Sequence, residues 1–289
     1  MQTKMTSESG NGSAETPSGK DAAYENFPVG SWLLPAALRP HIAKFYAFAR
    51  AIDDIADNPD LAPDDKVRRL NEFEAAVTGR GADDAAYRTA HAMRESLDET
   101  GITAAHCVDL ITAFRLDATK LRYRDWDDLM GYCILSAAPV GRYLLDLHGG
   151  SADGYGPSDA LCNALQVINH LQDCQDDYQA LDRVYLPGDW MAEAGVAVED
   201  LDGNRATKGL RRVLDRCLDG TEALINEARR LPGGLKSRRL AMESAVIIEI
   251  AERLTRRLRD GDPLGPARIQ LGKPGYLWCC AKGVLRAWL

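Results

Sequence analysis

One stretch of the chain concentrates polar residues that are suited to binding a charged ligand. In NHLQDCQDDYQALDRVYLP, residues 169–187, Asn169, Asp173 and Asp177 are spaced four residues apart. Successive residues of an α-helix are rotated by about 100°, so these side chains and Gln166, one turn earlier, share one stripe. The opposite side of the same helix is apolar. The stripe is therefore not the only side left for water, and we expect it to point inward.

A second predicted helix repeats this design. Tyr46, Arg50, Asp53 and Asp57 fall on one stripe, and Asp54 lies at its edge. Neither acidic stripe has lysines one turn away, as solvent-exposed acidic helices often do. A solvated face or a helix cap is the common explanation of one such motif alone. Two motifs on polar stripes together favour a binding function.

Hard cations explain why carboxylates would be grouped in this way. Proteins hold Mg²⁺ through one or two carboxylates together with the phosphate groups of a substrate. Aspartates one helical turn apart can direct two oxygens at one ion, and two facing helices could hold ions around a diphosphate from both sides. The metal would neutralise the charge that develops on the diphosphate oxygens as they leave. The two stripes thus predict Mg²⁺-assisted diphosphate chemistry.

The elements that must position these stripes are helices. Short turn-forming segments such as TGRGADD, YLPGD and LPGG separate the periodic stretches, and no stretch alternates like a strand. Many helices with short turns predict a single all-α domain. Beyond the helix that begins near Pro40, the predicted helices are 64–78, 85–99, 103–120, 126–147, 158–181, 207–230, 237–259 and 274–288.

Composition limits the function classes. The 289 residues are 45% hydrophobic, which is enough for a large core, and the net charge of −8 argues against a nucleic-acid partner. Seven cysteines form no C-x-x-C pair and are typical of reduced thiols in a cytoplasmic protein. Residues 1–22 have no apolar signal-peptide core and read as a disordered lead-in to a domain at 23–289. No stretch is long and apolar enough to span a bilayer.

Several motifs in order resemble the squalene/phytoene synthase family of class I isoprenoid synthases. They are YAFARAIDDIAD, RYRDWDDLMGYC, VGRYLLDLHG, LQVINHLQDCQDDYQALDRVYLP and ARIQLGKPGYLW, and the resemblance runs from about Glu25 to the end. It implies a single all-α helical bundle with a central cavity closed at one end. It also implies a prenyl diphosphate substrate and Mg²⁺ as the cofactor.

The resemblance implies which residues hold the metal. Asp53 and Asp57, with Asp54 beside them, match the first aspartate-rich motif of the family, and Asp173 and Asp177 match the second. Asn169 and Gln166 match polar positions before the second motif, and Asn169 would join the metal ligands.

The resemblance also implies which residues contact the substrate. Arg50, Arg183 and Tyr185 match residues that hold the diphosphate or cover the pocket, and Tyr46 shares the stripe of Arg50. The hydrocarbon channel would be lined by Tyr132, Val140 and Gly141.

Three positions depart from the family pattern. Gln172 replaces the usual Arg before Asp173, residues 137–139 read Ala-Ala-Pro, and ENFPVGSWLLP replaces a Ser-rich stretch. With NHLQD and LDRVYLP, these features resemble the hopanoid-pathway branch, whose enzymes ionise presqualene diphosphate and quench the cation with water to give hydroxysqualene. An amide both donates and accepts hydrogen bonds, so Gln172 could orient that water; alternatively, it only tolerates a lost Arg contact.

Other functions remain open at this point. One alternative is a condensing synthase that makes presqualene diphosphate, squalene or phytoene from farnesyl or similar prenyl diphosphates. Another is a non-catalytic assembly factor on the same fold, which would have no reason to keep both carboxylate stripes. In the hopanoid branch, a presqualene diphosphate synthase could hand over the substrate.

The C-terminal segment 275–289, GYLWCCAKGVLRAWL, has two interpretations. It could be a helix that closes the core, or an interfacial anchor with aromatic residues at a lipid boundary. The second interpretation would place a cytoplasmic protein on the inner face of the plasma membrane. The basic stretches 236–240 and 253–260 are expected to be solvated helix faces.

Overall fold

The computed structural model describes Glu15 and residues 34–81 and 84–288, with the side chain of residue 288 left out. The predicted lead-in, residues 1–22, therefore lies outside the described residues except for Glu15, and so does most of ENFPVGSWLLP. The helices, numbered in chain order, are α1 (Arg39–Asp57), α2 (Pro63–Val77), α3 (Arg88–Thr100), α4 (Ala105–Asp117), α5 (Trp126–Ser136), α6 (Ala138–Leu147), α7 (Tyr155–Gln172), α8 (Cys174–Leu181), α9 (Gly188–Ala194), α10 (Lys208–Ala228), α11 (Leu231–Gly234), α12 (Arg238–Asp260) and α13 (Lys273–Trp288).

Two of the predicted helices are each broken into a pair. The stretch 126–147 divides at Ala137, because Pro139 in the first turn of the next helix has no N–H to continue the previous one. The stretch 158–181 divides at Asp173, whose backbone leaves helical geometry at φ −109° and ψ 10°. The prediction of one continuous stripe through Asp173 was therefore wrong in detail. Backbone hydrogen bonds from Asp173 to Asn169 and from Asp177 to Asp173 still keep the four-residue spacing.

A small sheet was missed by the sequence patterns. Strand β1 (Arg122–Tyr123) pairs in parallel with β2 (Val184–Pro187). All four residues of β2 are buried, so β2 shows no alternation, and two residues in β1 are too few for a pattern. The sheet joins the end of α4 to the segment after α8. It places Arg183 at the end of α1 and Tyr185 beside Asp117 at the end of α4.

The helices form one bundle around α7. Helix α7 packs against α10, α6, α12 and α5, while α1 packs against α2, α3 and α4. The predicted all-α fold class is confirmed, with β1 and β2 as a minor addition. Among the described residues, no helix has the length and apolar character required to cross a membrane.

Helix α1 shows how the sequence positions the first stripe. Phe45, Phe48, Ile52 and Ile55 recur every three or four residues and are buried. A helix with this spacing turns one apolar side to the core. The core contacts thereby fix the rotation of α1 and hold the Arg50 side of the helix along the edge of the core.

Candidate functional site

The first carboxylate cluster lies in the last two turns of α1. Arg50 forms ion pairs with two carboxylates, from Nη1 to Asp53 Oδ2 at 2.7 Å and from Nη2 to Asp54 Oδ1 at 3.0 Å. Asp54 is buried, whereas Asp53 and Asp57 are partly accessible. One guanidinium thus holds two of the three carboxylates in this cluster.

The cluster has a deficit of positive charge around Asp53. Burial and the neighbouring Asp57 raise the pKa of the Asp53 carboxyl well above its usual range, although Arg50 acts against this. Asp117 and Asp54 raise this pKa further. Like charges that oppose ionisation indicate a site where an added cation would be stabilised.

Arg183 connects this cluster to the small sheet. Its Nη1 donates to Asp57 Oδ1 at 2.6 Å, its Nη2 to the Ala56 carbonyl at 2.9 Å and its Nε to the Asp117 carbonyl at 3.1 Å. The side chain is buried. Burial lowers the pKa of the guanidinium, but Tyr185, Asp117 and Asp57 outweigh burial and raise it. Arg183 therefore supplies a permanent positive charge beside the carboxylates.

Asp117, the last residue of α4, belongs to the site but was not predicted from the sequence. Its Oδ2 accepts a hydrogen bond from Tyr132 at 2.7 Å, and its Oδ1 accepts one from Tyr185 at 3.1 Å. Burial raises the pKa of the carboxyl to about 6, against the opposing effects of Arg183 and the two hydroxyls. A signal was present in the sequence, because Asp117 continues the buried spacing of Leu110 and Ala113.

An aromatic cluster covers this carboxylate. The rings of His170 and Tyr185 stack with centroids 3.6 Å apart, and the Tyr132 ring lies 5.6 Å from that of Tyr185. Burial, followed by the charge of Arg183, lowers the pKa of His170 to about 3, so the ring is neutral and packs. Burial also raises the pKa of both tyrosines well above the usual value, so they remain hydroxyl donors.

The second motif surrounds the break between α7 and α8. Arg268 forms a bidentate contact with Asp173, in which Nε donates to Oδ1 at 2.5 Å and Nη2 donates to Oδ2 at 2.8 Å. The buried Gln172 donates from Nε2 to the carbonyl of Ile269. This amide donor is thus directed at the backbone of the segment that carries Arg268.

The other residues of the second stripe lie around the same break. Asn169 and Asp177 are half-buried, and the charge of Asp177 contributes to the raised pKa of Tyr185. Gln166 Nε2 lies 3.2 Å from His170 Nε2. Tyr185 stacks on His170 of α7 and donates to Asp117, so its side chain contacts both the helix of the second motif and the Asp117 cluster.

The residues predicted to line the channel divide into two groups. Tyr132 joins the Asp117 cluster, and Tyr46 lies half-buried one turn before Arg50. Gly141 faces α7 instead, because a Cβ there would lie 2.3 Å from Ser158 Oγ. It allows close packing of α6 on α7, and Val140 beside it is half-buried.

These residues fit a divalent cation that is shared with a substrate. In residues 34–81 and 84–288, no three His, Cys, Asp or Glu side chains converge on a preformed metal cage. Mg²⁺ needs only one or two carboxylates when phosphate oxygens complete its coordination. The carboxylates of Asp53 and Asp57, which lie one helical turn apart on α1, meet that requirement.

Fold and site together define an all-α enzyme scaffold with acidic and basic groups arranged for an anionic substrate. The sequence pattern of the squalene/phytoene synthase family matches residues 21–274. The chain therefore belongs to this family, whose members are enzymes that act on prenyl diphosphates.

Individual members of the family with high sequence identity to this chain include hydroxysqualene synthases. The chain is 45% identical to hydroxysqualene synthase of Rhodopseudomonas palustris over 251 residues, which cover 87% of this chain and 85% of the relative. It is 42% identical to hydroxysqualene synthase of Sinorhizobium fredii over 83% of this chain and 81% of that relative. The crystal structure of squalene synthase HpnC from Alicyclobacillus acidocaldarius superposes with a TM-score of 0.71 at 34% identity, covering 82% of this chain and 89% of that one.

Proposed function

We propose that the chain is a Mg²⁺-dependent carbon–oxygen lyase that converts presqualene diphosphate and water to hydroxysqualene and diphosphate. The C–O bond to the diphosphate breaks, the cation rearranges, and the oxygen of water forms the new C–O bond as one proton is lost. The observation that carries the proposal is a carboxylate cluster between Arg50 and Arg183, in a chain that is 41–45% identical to three hydroxysqualene synthases.

The carboxylates and guanidinium groups have distinct tasks in this proposal. The carboxylates that would hold Mg²⁺ are those of Asp53, Asp57, Asp173 and Asp177, and the ion would neutralise charge on the diphosphate oxygens. Arg50 keeps the first cluster in place through its ion pairs with Asp53 and Asp54. A guanidinium offers several donors in a fixed plane, which suits a diphosphate.

The aromatic cluster has the task of excluding bulk water. A carbocation reacts with any water within reach, so only one water can be admitted near it. Tyr132 and Tyr185 are held on Asp117, and their raised pKa values keep them protonated. They therefore do not accept the proton that the attacking water loses.

Two parallel incubations test the reaction. The full chain is supplied with Mg²⁺ and no nicotinamide cofactor, once with presqualene diphosphate and once with farnesyl diphosphate, and the products are identified by mass spectrometry. We expect hydroxysqualene from the first incubation and no product from the second. Presqualene diphosphate in the second incubation would instead place the chain among the condensing enzymes.

A condensing synthase is the second candidate, because the solved relative HpnC bears the name squalene synthase. Under either reaction the substrate is anionic and its hydrocarbon part is large. In the proposed reaction, the substrate must come from an enzyme that condenses two prenyl diphosphates, and direct transfer from that enzyme is part of the proposal.

We propose a cytoplasmic location for the protein. All seven cysteines are free thiols, which is the expected state in a reducing compartment. Fractionation of cells that express a tagged full-length chain tests this, and recovery with periplasmic markers would contradict it.

A further inference from the structure

Three of the four exposed large hydrophobic side chains among the described residues lie on α13. The exposed fractions of these side chains are 67% for Leu277, 61% for Trp278 and 62% for Leu285. The fourth, Leu121, lies at β1 and is only 38% exposed. Single exposed apolar residues are ordinary, but a group on one helix indicates a contact surface.

These side chains occupy one side of the helix. With Leu277 as the reference direction, Ala281 lies at about 40°, Leu285 at about 80° and Trp278 at about 100° around the helix axis. Ala281 is also exposed. The apolar group therefore forms a continuous strip along α13, which we call the α13 strip.

The α13 strip is not needed to hold α13 in the fold, because the other side of the helix does that. Gly283 packs so closely that a Cβ would lie 2.5 Å from Val246 Cα of α12. Cys279 Sγ donates to the Glu249 carbonyl, and Lys282 and Arg286 bind the Glu249 carboxylate at 2.7 and 3.3 Å. Core contacts and ion pairs are thus satisfied on the inner side.

Arginines of α12 lie at both ends of α13. With Val246, which meets Gly283, as the reference direction, Arg239, Arg253 and Arg257 all lie within about 20° of it around the α12 axis. Arg239 precedes the stretch of α12 that α13 covers, and Arg257 follows it. Both side chains are exposed. The side of α12 that carries α13 is therefore basic where α13 does not cover it.

The exposed Lys273 adds a further charge at the first residue of α13. An apolar strip with basic residues at its ends is the composition of a helix that lies in a membrane interface. Basic side chains near an anionic lipid surface each add to binding, even in a protein whose net charge is −8.

We propose that α13 binds the surface of an anionic lipid bilayer, with its axis in the membrane plane and the α13 strip in the headgroup region. A second copy of the chain fits this surface less well. Two α13 strips packed together would bring the basic residues of both copies close to each other, and like charges would oppose the contact. A bilayer of anionic lipids complements both the apolar strip and the basic ends.

Vesicle binding tests the proposal with the full-length protein. Vesicles are made from phosphatidylcholine alone or from an equimolar mixture of phosphatidylcholine and phosphatidylglycerol, and the bound protein is measured by flotation. We expect binding to the mixed vesicles, weaker binding to the neutral ones, and weakening by salt. Equal binding to both kinds of vesicle, or none to either, would overturn the proposal.

Matched variants separate the apolar and basic contributions. Leu277→Ser with Trp278→Ser and Leu285→Ser should reduce binding to mixed vesicles by at least about tenfold, because three apolar side chains leave the interface. Arg239→Gln with Lys273→Gln should also reduce it about tenfold. Arg68→Gln with Arg80→Gln removes two exposed charges from the region of α2 and should leave binding unchanged.

Two further measurements keep these outcomes distinct. Circular dichroism and turnover of detergent-dispersed substrate should be unchanged in the triple variant, because the α13 strip lies on the outer side of the bundle. If sedimentation instead shows a dimer that the triple variant abolishes, and vesicles bind both proteins equally, the α13 strip is an interface between copies. The strip exists whatever reaction the carboxylate site performs, so vesicle binding and product identity test separate claims.

Discussion

Arg183 gives the sharpest test of how the site is held together. Its guanidinium is buried and binds a carboxylate and two backbone carbonyls, those of Ala56 and Asp117. Arg183→Met keeps much of the volume but leaves the Asp57 carboxylate and both carbonyls without these donors. The expected cost is about 2–4 kcal/mol, because the buried Asp117 carbonyl loses a charged donor and the partly accessible Asp57 loses its ion pair. For a protein of this size, the expected loss in Tm is on the order of 10 °C.

Arg122 provides a matched control in the paired strand. Its side chain is 41% exposed and pairs with Asp182, which is 61% exposed. Arg122→Met should cost about 0–1 kcal/mol, as exposed ion pairs do. Urea unfolding of the wild type and both variants, followed by circular dichroism, gives the comparison. A cost for Arg183→Met no greater than that for Arg122→Met would refute the assignment of Arg183 as the central connection of the site.

Three further predictions concern single residues. Asp53→Asn should abolish turnover while thermal stability in Mg²⁺-free buffer stays the same or rises, because burial and repulsion by neighbouring carboxylates oppose ionisation there; Asp176→Asn, at an exposed position, should retain turnover. The pKa of Asp117 is about 6 in the folded protein and about 4 when unfolded, so the free energy of unfolding should fall as the pH rises between these values, by up to about 3 kcal/mol. Urea titrations across this range should show a smaller fall in Asp117→Asn, and an unchanged slope would contradict the assignment. Gln172→Leu removes the donor to Ile269 and should speed protease cleavage within 261–272, whereas Gln175→Leu, which loses contacts to another loop, should not.

The helices and the first stripe could be predicted because both depend on local periodicity. The apolar spacing of α1 fixes which side meets the core, and the positions of Arg50 and Asp53 follow from the geometry of one helix. The break at Asp173 and the pairing of β1 with β2 depend on contacts between distant segments, which no local pattern records. The buried spacing of α4 marks Asp117 as an inward-facing residue, but its role in the site depends on Tyr132 and Tyr185, which come from α5 and β2.

The structure explains how Gln172 can stand where the family usually has an arginine. In the family resemblance an arginine usually precedes the second motif, and here that position is Gln172. The positive charge beside Asp173 comes instead from Arg268, which lies 95 residues further along the chain and binds both carboxylate oxygens. Gln172 binds the carbonyl of the adjacent Ile269, so the amide holds the segment that brings the arginine. The charge is thus retained at the motif, but its position now depends on the segment between α12 and α13.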